Sequence, residues 1–295
     1  MKSSYNSFFY NFKKKIIQHR RLFSFIKSFF LAVIIALLIN IFILDTTKIT
    51  SESMEDTILK GDFLFMEKLS YGAKFPGTIP FLKDVIPPFR MPGFSSIERG
   101  DIMIFENPLQ SAGEKNVFQQ NLIKRCIGLP GDTLRIQNRI ILINNETLSF
   151  DSGIKYEPLP GEEHKVKFPP NSSWTIDNYG PLFIPGKGDV VKLDASNLGR
   201  YRKIINEESM GDTISISGNK IYLGTKIISD YKFKNNYCFV LGDNRNRSSD
   251  SRFWGFLRED KVIGRAIMIY MSFDYNRGVS FPGNIRWNRI AKLIE

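Results

Sequence analysis

The longest hydrophobic run of the chain lies near its amino terminus. Residues 22–44 read LFSFIKSFFLAVIIALLINIFIL, interrupted by Lys27 near the start and Asn40 near the end. A membrane-spanning helix needs roughly 20 mainly apolar residues, so this run is long enough if the Lys27 ammonium reaches back to the interface. Because the run has no A-x-A-like exit, we interpret it as a retained transmembrane anchor rather than a cleaved secretory signal.

Beyond residue 44 the hydrophobic positions fall into short runs that are typical of strands. These runs are rich in β-branched and aromatic residues and are separated by Gly, Asn, Asp and Pro, which favour turns. They are GDFLFMEKL (61–69), GDIMIFENP (100–108), NRIILINNETL (138–148), DTISISG (212–218), NKIYLG (219–224), YCFVLGD (237–243) and GRAIMIYMSF (264–273). The pattern predicts a mostly β protein.

The same runs predict a division of the chain. Residues 45–136 and 236–295 are expected to form the main β core, and residues 137–235 an inserted smaller β domain. Residues 1–21 are a basic segment ahead of the anchor at 22–44. The stretch Phe75–Phe94 mixes aromatic residues with prolines and predicts an irregular loop, which either rests on a bilayer or caps the hydrophobic core.

Composition and charge fit a folded protein with a membrane anchor. Of the 295 residues, 42% are hydrophobic and 24% charged, enough to bury a core. The net charge is +11, but seven Lys and Arg residues precede the first acidic residue, Asp45, so the rest carries only +4. By the positive-inside rule the amino terminus is in the cytoplasm, and everything after residue 44 lies outside the cytoplasmic (inner) membrane. The charge therefore gives no reason to expect a nucleic acid partner.

Histidine and cysteine are too few for several common catalytic sites. Of the two histidines, His19 precedes the anchor and His164 lies in a charged stretch typical of a solvated loop. His164, Cys126 and Cys238 occur singly, without zinc-ligand spacing, so we expect no metal and no organic cofactor. The cysteines permit either a disulfide or two buried thiols. Hydrolase chemistry must therefore rest on serine, lysine or carboxylate groups.

Three motifs follow the anchor in order: ITSESMEDTILKGD (49–62), NLIKRCIGLPGD (121–132) and GDNRNRSSDSRFWG (242–255). Together they resemble the type I signal peptidases, which are membrane-bound serine endopeptidases with a Ser/Lys dyad. The resemblance covers the anchor and both flanks of the 137–235 block. It implies a signal-peptidase-like β catalytic core.

The resemblance assigns Ser53 as the nucleophile and Lys124 as the general base that removes its proton. An ammonium group cannot accept a proton, so the pKa of this lysine must lie far below its ordinary value of about 10.4. On a strand, the apolar neighbours within 122–127 would bury the lysine stem and oppose the charged form. By the same similarity, the Ser51 hydroxyl and the Ser53 backbone N–H would form an oxyanion hole.

Further residues of the third motif would support the base. The resemblance implies that Ser248 hydrogen-bonds and orients the Lys124 amine, and that Asp250 and Arg252 form an ion pair that braces the loop. Asp243 and Arg125 also match the motifs, and we expect structural roles for them.

The substrates implied are exported preproteins. The family removes signal peptides after small residues in an A-x-A pattern, and Ile49, Met54 and Ile123 align with residues that line its shallow apolar pockets. Such pockets exclude bulk by steric clash, so the signal sequence held in the bilayer must supply much of the recognition.

The nucleophile motif departs from the family pattern at Asp56, where proline is usual. With Glu52 and Glu55 it places three acids beside Ser53. A carboxylate close to Lys124 would favour the protonated amine, so we predict that all three side chains face solvent.

Two other interpretations stay open. One is a membrane-tethered binding or scaffold protein that keeps the fold without turnover. The other is a related Ser/Lys peptidase that cuts its own chain or a regulator. The sequence leaves the oligomeric state unknown.

Overall fold

A computed structural model describes residues 2–75, 89–109, 121–150, 154–156, 165–275, 278 and 281–294; for residues 2–21 and Phe75 it describes the backbone alone. Most of the predicted Phe75–Phe94 loop and His164 lie outside the described residues.

The described residues form a mostly β protein, as predicted. The helices are α1 (Lys2–Phe42), α2 (Leu198–Glu208) and α3 (Ser251–Trp254). The strands are β1 (Leu44–Lys48), β2 (Asp62–Glu67), β3 (Lys74–Phe75), β4 (Phe89–Arg90), β5 (Ile102–Phe105), β6 (Leu122–Gly128), β7 (Thr133–Gln137), β8 (Ile140–Ile143), β9 (Glu146–Leu148), β10 (Tyr179–Phe183), β11 (Val190–Lys192), β12 (Ile214–Ser217), β13 (Lys220–Leu223), β14 (Lys226–Ile228), β15 (Asp230–Lys232), β16 (Tyr237–Leu241), β17 (Leu257–Arg258), β18 (Val262–Ser272) and β19 (Lys292–Leu293). Six of the seven hydrophobic runs contain at least one of these strands, and the seventh, at 264–273, overlaps β18.

Helix α1 contains the apolar run except for its last two residues. Its segment Leu22–Phe42 has a mean hydropathy of 2.6 and no part buried within the protein. At 1.5 Å per residue its 21 residues extend about 32 Å, close to the thickness of a hydrocarbon core. The helix ends at Phe42 and β1 begins at Leu44, so the predicted anchor at 22–44 extends two residues beyond the helix, and its bounds stay a prediction. The segment fits a single-pass membrane protein.

The main sheet brings the three motifs together. Its strand order is β1-β2-β18-β5-β6-β16-β17, with β19 also paired to β18. Strand β6 lies between β5 and β16 and pairs with both in the antiparallel sense. The first motif follows β1, the second forms β6, and the third begins at the end of β16.

Smaller sheets and α2 form most of the remaining structure. A four-stranded sheet has the order β10-β7-β8-β9, β12-β13-β14 form another, and β11 pairs with β15. The sequence analysis did not predict α2, which buries one face through Leu198, Tyr201, Ile204 and Ile205. The expected boundary at residues 136 and 137 falls inside β7, and the division into two domains stays a prediction.

Candidate active site

Ser53 lies in a turn that follows β1 and is held from two sides. The Ile49 N–H donates to the Asp62 carbonyl (2.9 Å) and the Gly61 N–H returns a bond to the Ile49 carbonyl (2.9 Å), which closes the base of the turn. From the third motif, the Asn244 N–H donates to the Ser53 carbonyl (3.1 Å). The backbone of the serine is therefore fixed by residues nearly 200 positions away.

Lys124 projects from β6 onto this serine. Its Nζ donates to Ser53 Oγ at 2.7 Å and to the Ile123 carbonyl at 2.8 Å. Both side chains are buried, with Lys124 3% and Ser53 7% exposed. The motifs thus bring a buried amine and a hydroxyl into direct hydrogen-bond contact.

Burial alters the protonation of this amine. Desolvation lowers the pKa of Lys124 from 10.5 to about 8, against the opposing charges of Asp250 and Asp243. At pH 7 a group with this pKa is neutral about one tenth of the time, against about one part in 3,000 for an ordinary lysine. A neutral amine at hydrogen-bond distance can accept a serine proton, which is the requirement for activating a hydroxyl nucleophile.

A second hydroxyl lies beside the pair. Ser51 Oγ is 3.3 Å from Ser53 Oγ, and Ser51 is exposed. A donor at this position can reach an oxygen that develops negative charge next to Ser53.

The third motif supplies a buried ion pair behind the amine. Arg252 donates through Nε and Nη2 to the two Asp250 oxygens at 2.9 and 2.8 Å, and both side chains are at most 1% exposed. Although burial opposes ionisation, the Arg252 charge and its hydrogen bonds lower the pKa of Asp250. Arg252 also donates to the Arg245 carbonyl at 2.6 Å, which ties the ion pair to the loop backbone.

Ser248 is buried close to these groups, but its predicted bond to the amine is not formed. Among the described residues, Ser248 Oγ has no partner with hydrogen-bond geometry. It nevertheless lies near enough to Asp250 to contribute to the lowered pKa of that carboxyl. A Cβ added to Gly242 would overlap both Ser248 Oγ and the Ser53 carbonyl oxygen, so the glycine permits this close approach.

The Arg125–Asp243 pair has a more specific role than the sequence suggested. Arg125 Nε and Nη2 each donate to Asp243 at 2.9 Å, and the Thr57 hydroxyl donates to the same carboxylate at 2.6 Å. The pair therefore joins β6, the third motif and the turn that carries Ser53.

Arg289 is a supporting residue that sequence reasoning missed. It donates to the Thr57 carbonyl at 3.0 Å and to the buried Asp62 carboxylate at 2.6 Å. Asp62 also accepts the Ser272 hydroxyl at 2.6 Å. No motif marked Arg289, because its partners lie more than 220 positions away.

The three acids beside Ser53 are directed away from Lys124. Glu52 and Asp56 are exposed, and Glu55 is half-buried with its carboxylate 3.4 Å from Lys155 Nζ, so only Glu55 differs from the prediction. Within the described residues none of them bonds to the amine of Lys124. Asp56 has a φ of 99°, which proline cannot adopt because its ring fixes φ near −65°.

The residues predicted to line the substrate pockets share one hydrophobic cluster. All are at most 7% exposed: Ile123 lies in β6, and Ile49 and Met54 in the segment after β1. Their contact with a substrate stays a prediction.

The two cysteines are free thiols in this structure, both buried. The described residues contain no group of three or more His, Cys, Asp or Glu side chains that could hold a metal ion.

Comparisons with known proteins match this chain over most of its length. The family described as signal peptidase, peptidase S26, matches residues 22–271. Signal peptidase I of Buchnera aphidicola subsp. Acyrthosiphon pisum (strain APS) is 32% identical over 90% of this chain and 80% of that protein. Signal peptidase I of Buchnera aphidicola subsp. Baizongia pistaciae (strain Bp) is 30% identical over 96% of this chain and 88% of that protein. A solved signal peptidase I from Enterococcus faecalis V583 is 21% identical over 58% of this chain and 97% of that chain, with a TM-score of 0.26.

Proposed function

The chain belongs to the signal peptidase family, peptidase S26, and from that membership we propose that it removes signal peptides by a Ser53/Lys124 dyad. The observation that carries the proposal is the 2.7 Å bond between the buried Lys124 amine and Ser53 Oγ.

The proposed mechanism starts from the neutral amine. Lys124 takes the proton from Ser53 Oγ as this oxygen attacks the scissile carbonyl, and the ammonium then returns a proton to the leaving amine. The Ser51 hydroxyl and the Ser53 N–H stabilise the oxyanion. Water hydrolyses the acyl-enzyme with Lys124 again as base.

The surrounding residues position this pair. Asp250 and Arg252 brace the third motif through their buried ion pair. Arg125 and Asp243 hold the Ser53 turn against β6, as their bonds to Thr57 support.

The substrates are exported preproteins with small residues in an A-x-A pattern before the cut. Ile49, Met54 and Ile123 form the walls that exclude larger side chains. The basic residues ahead of the α1 anchor keep its amino end in the cytoplasm by the positive-inside rule, so the β core lies outside the cytoplasmic membrane beside the exported substrate.

The test is cleavage of a preprotein with an A-x-A site by the detergent-solubilised full-length chain. We expect wild type to cut after the second alanine, as read from the amino terminus of the product, and Ser53→Ala and Lys124→Ala to be inactive. Ser229→Ala, which alters an exposed hydrogen-bonded serine away from the site, is the matched control and should retain full activity. An inert wild type, or an active Lys124→Ala, contradicts the proposal.

A further inference from the structure

The membrane helix joins the β core almost directly. Helix α1 ends at Phe42, β1 begins at Leu44, and Ser53 follows Phe42 by eleven residues. Eleven residues span at most about 40 Å even when fully extended. The geometry of this junction therefore controls where Ser53 lies relative to the membrane.

Lys68, immediately after β2, contacts the junction in three ways. Its backbone N–H donates to the Ile43 carbonyl at 2.9 Å, and its Nζ donates to the Asn40 carbonyl at 3.1 Å. The same ammonium lies 2.7 Å from the Asp45 carboxylate. The two charged side chains are 7% and 19% exposed, so this is not a solvated surface pair.

The contacts match what the end of a membrane helix needs. The last four carbonyls of a helix lack intrahelical partners, and an unpaired carbonyl beside a hydrocarbon layer is costly. The Asn40 carbonyl belongs to this group and receives the Lys68 ammonium. A positive charge at a helix carboxyl end is also favoured by the helix dipole.

We propose that Lys68, together with Asp45, is a positioning residue that holds α1 at a fixed angle on the β core and thereby selects the peptide bond that reaches Ser53. This inference rests on the proposed function. A signal peptide embedded in the bilayer presents its cleavage region at a fixed height, so the enzyme must hold Ser53 at a matching height. A tilt of about 10° at Phe42 moves a point about 20 Å away by about 3.5 Å, which equals one residue of extended chain.

Lys68 and Asp45 lie outside the three motifs, which explains why the sequence analysis did not identify them. Lys68 follows the first motif and Asp45 precedes it, and neither touches Ser53 or Lys124 among the contacts of the described residues. Their effect acts through the angle of the helix and not through the dyad. The chemical step on a soluble peptide should therefore be independent of them.

The experiment compares two substrates with the full-length chain in lipid vesicles. One substrate is a soluble A-x-A peptide, and the other is a membrane-inserted preprotein that carries two A-x-A sites a few residues apart. The variants are Lys68→Met, which removes both side-chain contacts, and Asp45→Asn, which keeps the bond from Lys68 to Asn40. Lys74→Met is the matched control, since Lys74 forms a partly buried ion pair with Glu106 away from α1.

We expect Lys68→Met to cleave the soluble peptide at a rate within about twofold of wild type. The same variant should cleave the preferred site of the inserted preprotein at least about tenfold more slowly than wild type, and a larger share of its cuts should fall at the second site. Asp45→Asn should show a smaller change in the same direction, and Lys74→Met none. Equal losses on both substrates would show a general structural role and overturn the inference, as would unchanged cleavage of the preprotein. A wild type that cuts neither substrate contradicts the proposed function itself.

Discussion

Replacing Lys124 with methionine should abolish cleavage. The free energy of unfolding of this variant should nevertheless increase relative to that of wild type as pH falls from 10 to 7. The amine is 3% exposed, and desolvation lowers its pKa from 10.5 to about 8. Between these two values the unfolded chain keeps a proton that the folded chain has released. The free energy of unfolding of wild type therefore rises with pH across this window. Methionine has nearly the same length and no charge to bury.

The size of the effect follows from the two pKa values. Below pH 8 both states are protonated, and the folded state carries the full penalty of a buried charge, about 3 kcal/mol at pH 7. At pH 10 the penalty has fallen to about 1 kcal/mol, and above pH 10.5 it disappears. Loss of the two hydrogen bonds from the amine costs about 1 kcal/mol each and is common to every pH. The difference between variant and wild type should thus change by about 2 kcal/mol between pH 7 and pH 10.

The assay is guanidinium unfolding of the full-length chain in detergent at pH 7, 8, 9 and 10, followed by tryptophan fluorescence. The three tryptophans, at positions 174, 254 and 287, lie outside α1, so the signal reports on the β structure. Lys192→Met, at an exposed position of β11, is the control and should parallel wild type at every pH. A constant difference between Lys124→Met and wild type from pH 7 to pH 10 would refute the claim that the folded protein lowers the pKa of this amine.

Four further predictions concern the site and its turn. If neutral Lys124 is the base, kcat/KM for a soluble peptide rises about tenfold between pH 7 and pH 9 with a midpoint near pH 8; a flat profile contradicts this. Asp243→Asn leaves Arg125 buried without its counter-charge, and should lower the free energy of unfolding by about 3–5 kcal/mol in denaturant titrations, whereas a change below about 1 kcal/mol would contradict the role of the pair. Gly242→Ala forces a methyl group against the Ser53 carbonyl and should reduce kcat about a hundredfold in the same peptide assay. An unchanged kcat would contradict the need for a close approach at this glycine. Asp56→Gly places at a φ of 99° a residue that adopts it without strain, and should raise the free energy of unfolding by about 1 kcal/mol. Asp56→Pro cannot adopt this φ and should prevent folding. Thermal melts in which the proline variant is more stable than the glycine variant would contradict this.

Local sequence patterns were sufficient to predict the mostly β class and the strands of the seven hydrophobic runs. The run GRAIMIYMSF begins at a glycine and contains a continuous apolar stretch, which favours a buried strand, and it overlaps β18. Ser53 and Lys124 stand in motifs whose order along the chain marks them, although 71 positions separate them. Their partnership came from the resemblance, since no periodicity links the two segments.

Long-range contacts account for what the sequence did not predict. The bond from Thr57 to Asp243 joins positions 186 apart, and the bond from Arg289 to Thr57 joins positions 232 apart. Helix α2 was missed because its apolar residues are outnumbered by charged and polar ones, and its formation depends on tertiary burial of a single face. Ser248 marks a finer limit, since its motif predicts a bond to Lys124 that the described structure does not form.

The most direct test of the central claim is covalent capture of the nucleophile. A peptidyl electrophile with alanine at the first and third positions before the reactive carbonyl would be incubated with the full-length chain from pH 6 to pH 10, and the adduct mapped by mass spectrometry. The account predicts a single adduct on Ser53, with a labelling rate that has its midpoint near pH 8 in wild type and is lost in Lys124→Met. Labelling of another residue, or of Ser53 at an unchanged rate in Lys124→Met, would contradict it.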